Sequence, residues 1–451
     1  MYKLLKNQPV TRPVTFVEQL DKKDEDGFLG KLGEVYGLEH DAIKVGVGKT
    51  NNHAARLEAG FKLGKSLAQK GIETVTYQPE QKEDLAFVEG LLRAFYRFDK
   101  YKETEETVTL NLNIVSEDEA LLTALDQLDV INQGVNFARD IVNEPANTIY
   151  PESLAELTQA RLSVHGVEVD VLNQTQIEDL KMEAFLAVAR GSVKEPKVLV
   201  MKWLPKPESK EILGLVGKGV TYDSGGYSLK PSAGMKTMFC DMGGAGTVIA
   251  TMETIARLNL QTNVIAVVAA TENMISGNSY KPGDIIGSMA GKTIEIDNTD
   301  AEGRLTLADA LYYITKKHAV TKVVDLATLT GACLVALGET YTGAVTNNPE
   351  FMQEMMTAAQ SVDEYIWELP NSPAFAKMNK SDVADIKNSG GRLGGTISAG
   401  LFVGEFLADE IPWVHLDIAG TAYLSSNSGY LTKGATGVHV KTLVEYIQKS
   451  V

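Results

Sequence analysis

The chain has 451 residues, and 43 Lys and Arg set against 59 Asp and Glu give a formal charge of −16. Hydrophobic residues make up 44% and charged residues 23%, a globular composition at a length that suits two α/β domains and excludes collagen-like, disordered and membrane-dominated classes. So acidic a field repels phosphate backbones and anionic membranes, so nucleic acid and membrane are not expected partners. Two cysteines, Cys240 and Cys333, offer neither a disulfide framework nor a CxxC motif, which suits a reducing cytoplasm. The opening residues lack a signal-like apolar core, and the longest apolar run, 264–270, is far short of the ~18 residues of a membrane span.

In the first third, Val108, Leu110, Leu112 and Ile114 alternate as one face of a strand does, which predicts a sheet edge or a half-buried strand. Residues 1–115 are expected to form the smaller α/β domain. Over 116–142, leucines and isoleucines spaced by three and four, with acids in the first turn, predict a long connecting helix. Pro145, in Asn143-Glu144-Pro145-Ala146-Asn147, breaks it and Pro151 opens another. The larger domain is then 143–451. Within it the apolar runs 167–172, 198–203, 212–216, 264–270, 323–326 and 413–418 alternate with helical stretches such as 301–317, which predicts a mixed, mostly parallel central sheet covered by helices on both faces. Glycine crowds 214–246, a sign of tight turns or close backbone approach at strand ends, where open α/β sheets bind ligands.

Familiar motifs fail on inspection. Gly48-Lys49-Thr50 has Ile43 where a phosphate-binding loop needs glycine, and Gly217-Lys218 is followed by Gly219 rather than Ser or Thr. Ser224 and Ser398 have Tyr222 and Thr396 where a nucleophile elbow needs its leading glycine. No pair among the six histidines has HExxH spacing. What stands out is a set of charges inside the glycine-rich, otherwise apolar centre: Lys218, Asp223, Lys230 and Asp241, then Asp300, Glu302 and Arg304 in NTDAEGRL. Lys218 and Asp223 follow the run 212–216 and are expected on the loop at that strand's carboxyl end. Asp300, Glu302 and Arg304 follow a β-like segment, 293–296, just before a helix.

Carboxylates gathered at a partly dry site repel unless protonated or neutralised. Four of them, Asp223, Asp241, Asp300 and Glu302, are balanced by two divalent ions, with a bridging hydroxide offset by Lys230 and Arg304. Such a histidine-free set suits Mn²⁺, Zn²⁺, Co²⁺ or Mg²⁺ without choosing among them. Lysine joins a metal only as the neutral amine. Asp or Glu beside glycine is also common in turns and caps, and Asp300 is placed to cap a helix starting at Ala301.

At these residues the sequence resembles the leucyl aminopeptidase (cytosol aminopeptidase, M17) family. NTDAEGRL stands unbroken at 298–305, and 216–248 carries a second block, VGKGVTYDSGGYSLKPSAGMKTMFCDMGGAGTV. Further similarity lies in NEPAN (143–147), ATLTGACLVALG (327–338), ADIKN (384–388), HLDIAG (415–420) and ATG (435–437). The resemblance implies a smaller, macro-like N-terminal domain, and a larger α/β/α catalytic domain that releases N-terminal residues from peptides with a free N-terminus. It implies metal ligation by Lys218, Asp223, Asp241, Asp300 and Glu302, with Asp223 and Glu302 bridging, and catalytic roles for Lys230 and Arg304. By the same resemblance Arg304 holds a bicarbonate that shuttles a proton. Met238, Thr328, Leu329 and Gly331 match positions lining the first side-chain pocket, implying leucine or other apolar residues there. The family also implies a homohexamer.

Tyr222, Tyr227 and Cys240 depart from the residues usual at their positions, and none replaces a ligand. Two other readings remain. A narrow dipeptidase, such as a cysteinylglycinase, would use the same metals. A DNA-binding accessory role, performed by some bacterial members of the family, is opposed by the −16 charge and by the shortness of Lys316-Lys317-His318 as a basic stripe.

Overall fold

The computed structural model describes residues 2–103 and 109–450, and the chain forms two compact units. One holds the chain up to Asn136 together with Ser426–Lys433, and the other holds Phe137–Ser425 and the stretch from Gly434 onward.

The first unit is built on six strands, β1 (Tyr2–Lys6), β2 (Pro13–Glu18), β3 (Val35–Tyr36), β4 (Ile43–Gly48), β5 (Thr74–Tyr77) and β6 (Leu110–Ile114), in the order β1-β6-β5-β2-β4-β3. All neighbours are parallel except β3 and β4. Leu110, Leu112 and Ile114 are fully buried, as their alternation predicts, whereas Val108 lies outside the described residues. β6 is not a sheet edge: β1 and β5 flank it. The buried Asn113 on its other face exchanges bonds with the main chain of Gln8, so a polar residue is satisfied inside the sheet. The helix His53–Lys70 starts where Asn52 accepts from Ala55 N. It packs its apolar side into a core of Phe61, Leu63, Phe87 and Leu91.

The helix expected at 116–142 runs Glu119–Asn143 and continues through the point where the two units divide. It stops just before Glu144-Pro145. The next helix, Pro151–Ser163, carries proline in its first turn, and Ser153 Oγ accepts from Tyr150 N.

The second unit contains β7 (Glu168–Leu172), β8 (Lys197–Trp203), β9 (Ile212–Asp223), β10 (Asn263–Asn273), the short β11 (Ile285–Ile286) and β12 (Ile294–Glu295), β13 (Lys322–Ala327), β14 (Tyr341–Thr346), β15 (Tyr365–Glu368), the short β16 (Ile386–Lys387) and β17 (Trp413–Asp417). Eight of these form one sheet, ordered β15-β14-β17-β13-β9-β10-β8-β7. Its middle strands β17, β13, β9 and β10 are parallel, and β14 and β8 join them antiparallel on either side. Every apolar run read as a strand in this unit is one. Val216, Val267, Leu307 and Phe402 belong to one buried cluster between this sheet and its helices, which is why the strands are apolar on both faces.

One expectation is overturned. β9 does not end near residue 216 but continues to Asp223, so Lys218 and Asp223 lie in the strand rather than on a loop after it. β10 pairs with it along that whole length. Of the two uses expected for the crowded glycines, Gly217 serves close backbone approach: a Cβ there would sit 2.7 Å from the carbonyl oxygen of Gly244, in the helix Gly243–Arg257.

Candidate metal centre

Asp223 closes β9, and Lys230 follows on the next loop. Asp241 sits between the 3₁₀ turn Met238–Cys240 and the helix Gly243–Arg257. Asp300 and Glu302 precede the helix Gly303–Lys317, whose first turn carries Arg304. Asp300 does not cap a helix at Ala301: the helix starts at Gly303, with Glu302 before it making no capping bond. Carboxylate oxygens of Asp223, Asp300 and Glu302 lie within 4.8 Å of one another.

The two lysines thread between the acids. Lys218 Nζ stands 2.7 Å from Asp241 Oδ2 and 2.8 Å from Glu302 Oε1, and it donates to the Thr328 carbonyl at 2.9 Å. Lys230 Nζ stands 2.7 Å from Asp223 Oδ2 and 2.5 Å from Asp300 Oδ1. The structure thus brings together all six of these charges. Arg304 is buried beside them in the next turn. A Cβ at position 303 would lie 2.5 Å from Lys218 Cε, so the glycine in NTDAEGRL leaves the lysine its path.

Neighbouring side chains that sequence reasoning did not single out fix the acids. A register shift at Thr271 and Glu272 sets Asn273 opposite Asp223. Asn273 Nδ2 donates to Asp223 Oδ1 at 2.8 Å and to the Thr299 carbonyl at 3.0 Å. Asn388, fully buried just past β16, accepts from the backbone of Asp297 and Asn298 and donates to the carbonyls of Asn298 and Ala301. Its position within ADIKN was the only hint.

The electrostatics are those of crowded like charges relieved by lysine. Burial and the neighbouring Glu302 push Asp223 up to about 6, and burial raises Asp241 and Asp300 as well. Burial alone would raise Glu302 too, but Lys218 and Lys230 hold it down at about 2. Both lysines are raised: burial works against their charge, and the surrounding carboxylates outweigh it. Arg304 is brought down to about 10 by burial, against the pull of Glu302 and Asp417.

Several buried polar atoms here lack hydrogen-bond partners: Asp241 Oδ2 and Asp300 Oδ1, which face lysine as ion pairs, and Asn273 Oδ1, Glu302 Oε2 and Arg304 Nε. A convergent set of hard oxygen donors, one with a free lone pair, fits divalent cations.

Of the expected pocket residues, Thr328 reaches the cluster directly, its hydroxyl donating to Asp241 at 2.8 Å. Leu329 is half-buried against the core, Met238 is half-buried in the 3₁₀ turn, and Gly331 is exposed at the start of the helix Gly331–Leu337. Cys240 is buried, and burial together with Asp241 pushes its thiol up to about 12. A cavity of about 840 Å³ opens at the amino ends of the central strands β9, β13 and β17, around Ile212, Lys322, Pro412 and Tyr446. It contains none of these charges, and its size is no argument for function.

Fold and site together define an α/β protein with a carboxylate-rich, lysine-lined candidate centre for divalent ions. Residues 136–444 match the catalytic domain of the cytosol aminopeptidase family, peptidase M17. A probable cytosol aminopeptidase of Treponema denticola is 47% identical over 99% of both chains, and one from Clostridium perfringens is 46% identical over 94% of this chain and 86% of its own. Among solved structures, the bottromycin maturation enzyme BotP in complex with Mn is 30% identical with a TM-score of 0.89, covering 99% of both chains. A mutant of tomato leucine aminopeptidase is 29% identical with the same TM-score, covering 100% of this chain and 97% of its own. The chain belongs to the cytosol aminopeptidase family.

Proposed function

We propose that the chain is a metallo-aminopeptidase that removes leucine and other apolar residues from the N-terminus of peptides. The observation that carries this reading is the convergence of Asp223, Asp300 and Glu302 with Lys218, Lys230 and Asp241 at the carboxyl ends of parallel strands. Lys218, Asp223, Asp241, Asp300 and Glu302 would hold two divalent ions, with Mn²⁺, Zn²⁺, Co²⁺ and Mg²⁺ as the candidates. Bound there, the ions would supply Lewis acidity and a water of lowered pKa. Lys230, part-exposed between Asp223 and Asp300, donates a hydrogen bond to the scissile carbonyl oxygen as charge builds there. Arg304, buried with Nε unpartnered, is suited to hold a bicarbonate anion. Met238 and the turn 328–331 line the side-chain pocket.

In the same reading, residues 1–115 form an accessory domain joined by the helix over 116–142 to the catalytic domain 143–451, and the protein works in the cytoplasm as a homohexamer. Among the described residues no helix is long and apolar enough to cross a membrane. The test is hydrolysis of leucine p-nitroanilide after chelation and after return of Mn²⁺, Zn²⁺ or Co²⁺, with Asp300→Ala alongside. Activity that requires metal and vanishes in the variant is expected. A folded, metal-supplied wild type inactive on this substrate and on leucyl dipeptides overturns the reading, and turnover of cysteinylglycine alone would replace it with the narrow dipeptidase.

A further inference from the structure

We infer that Asp417 is a positioning residue that sets which side chain the site accepts, by tying together the loops that leave β13 and β17; this deepens the aminopeptidase reading and rests on it. Asp417 ends β17 and is 0% exposed. Its Oδ1 accepts from Leu329 N at 3.2 Å, Thr330 N at 3.4 Å and Ala419 N at 3.1 Å, and its Oδ2 accepts from Thr330 Oγ1 at 2.6 Å. A buried carboxylate needs such bonds to offset the water it has lost. Here they come from these two loops. The first loop begins at Thr328, whose carbonyl receives Lys218 and whose hydroxyl reaches Asp241. Both loops converge on Gly243, where a Cβ would lie 3.1 Å from Ala422 Cβ, 3.2 Å from Thr328 Cγ2 and 3.6 Å from Ile418 Cδ1. Asp417 therefore fixes how far apart the two loops stand beside the charged cluster. Thr330 carries the restraint onward, because its hydroxyl also caps the helix Gly331–Leu337 by accepting from Cys333 N.

An amide at 417 keeps one oxygen for the three N–H groups but puts an N–H where Oδ2 accepts from the Thr330 hydroxyl, so the charge-assisted bond is lost and that hydroxyl must turn its proton away. The experiment measures kcat and KM for leucine and alanine p-nitroanilides in the full chain at saturating Mn²⁺, for wild type, Asp417→Asn, Thr330→Val and Thr330→Ser. For Asp417→Asn, kcat/KM on leucine is expected to fall on the order of a hundredfold, the scale of a displacement of about 1 Å. Alanine, which reaches less far into the pocket, should lose less, so the leucine-to-alanine ratio drops. Thr330→Val, which lacks the hydroxyl, should move the ratio the same way, and Thr330→Ser, which keeps it, should restore it. Folded variants that keep the wild-type ratio and merely melt earlier overturn the inference, since Asp417 would then brace the fold alone. Should Asp417→Asn fail to fold, the Val and Ser variants at Thr330 decide by the same ratio. A wild type that cleaves neither anilide with metal overturns the aminopeptidase reading itself, an outcome visible before any variant is made.

Discussion

Glu302 and Asp309 stand two turns apart along one helical segment, both cut off from solvent, and the chain treats them in opposite ways. Asp309 is held by main chain: its two oxygens accept from Phe185 N at 2.9 Å and Met289 N at 2.8 Å. Without a cation, burial pushes its carboxyl up to about 7. Glu302 has one oxygen on Lys218 and the other unpartnered, with Asp223 and Asp300 close by, and it is held at about 2. A buried acid whose bonding capacity is met by backbone is a strut joining distant segments. One left open among like charges keeps lone pairs free for a cation.

The sharpest way to break that contrast is Glu302→Gln, which keeps the volume and removes the charge. Leucine p-nitroanilide hydrolysis should drop to background, and Mn²⁺ should raise the melting temperature of wild type but not of the variant. Retained stabilisation by Mn²⁺ would count against Glu302 as a ligand. Next in size is Lys230→Met: kcat should fall by about 10²–10³, the scale of losing one donor to a developing oxyanion, while the Mn²⁺-induced rise in melting temperature persists.

Asp309→Asn probes the other side through pH. The unfolded carboxyl releases its proton near its ordinary 3.8, whereas the folded chain keeps it until about 7. Across that window the native state binds more protons. Asp309 therefore contributes fully to stability below about pH 4, its contribution falls as pH rises, and it levels off above about pH 7. A proton held across that whole window is worth about 4 kcal/mol. Denaturant midpoints at pH 5 and pH 8 should show that slope in wild type and its loss in Asp309→Asn. The smallest effect concerns buried thiols: Cys240 and Cys333, each pushed up to about 12 by burial, should resist iodoacetamide at pH 8 in the native protein and react after unfolding, as mass spectrometry would show.

Much of this was legible in the sequence because it is local. The strands of the central sheet announce themselves as short apolar runs, and the charged residues of the centre sit in two compact blocks, 218–241 and 300–304, that need no long-range partner to be noticed. What escaped notice depends on partners far along the chain. Asp309 reaches residues 185 and 289, Asn388 reaches back to 297–301, and Asp417 reaches back to 329 and 330. Nothing beside them in sequence reveals those bonds. The glycines near 217 left tight turn and close backbone approach open for a related reason, since only the distant helix backbone pressing on the strand decides between them. Likewise, no local signal places Ser426–Lys433 with the first unit.

That pressing contact bears on redesign. A Cβ at Gly217 would meet the Gly244 carbonyl at 2.7 Å, and one at Gly244 would meet the Leu326 carbonyl at 2.0 Å, so here main chain rests on main chain. At these two points no side chain stands between strand, helix and neighbouring strand that could be exchanged to shift the floor of the site. Anyone wishing to alter what this protein accepts inherits that floor as fixed masonry and has the surrounding loops as the movable furniture.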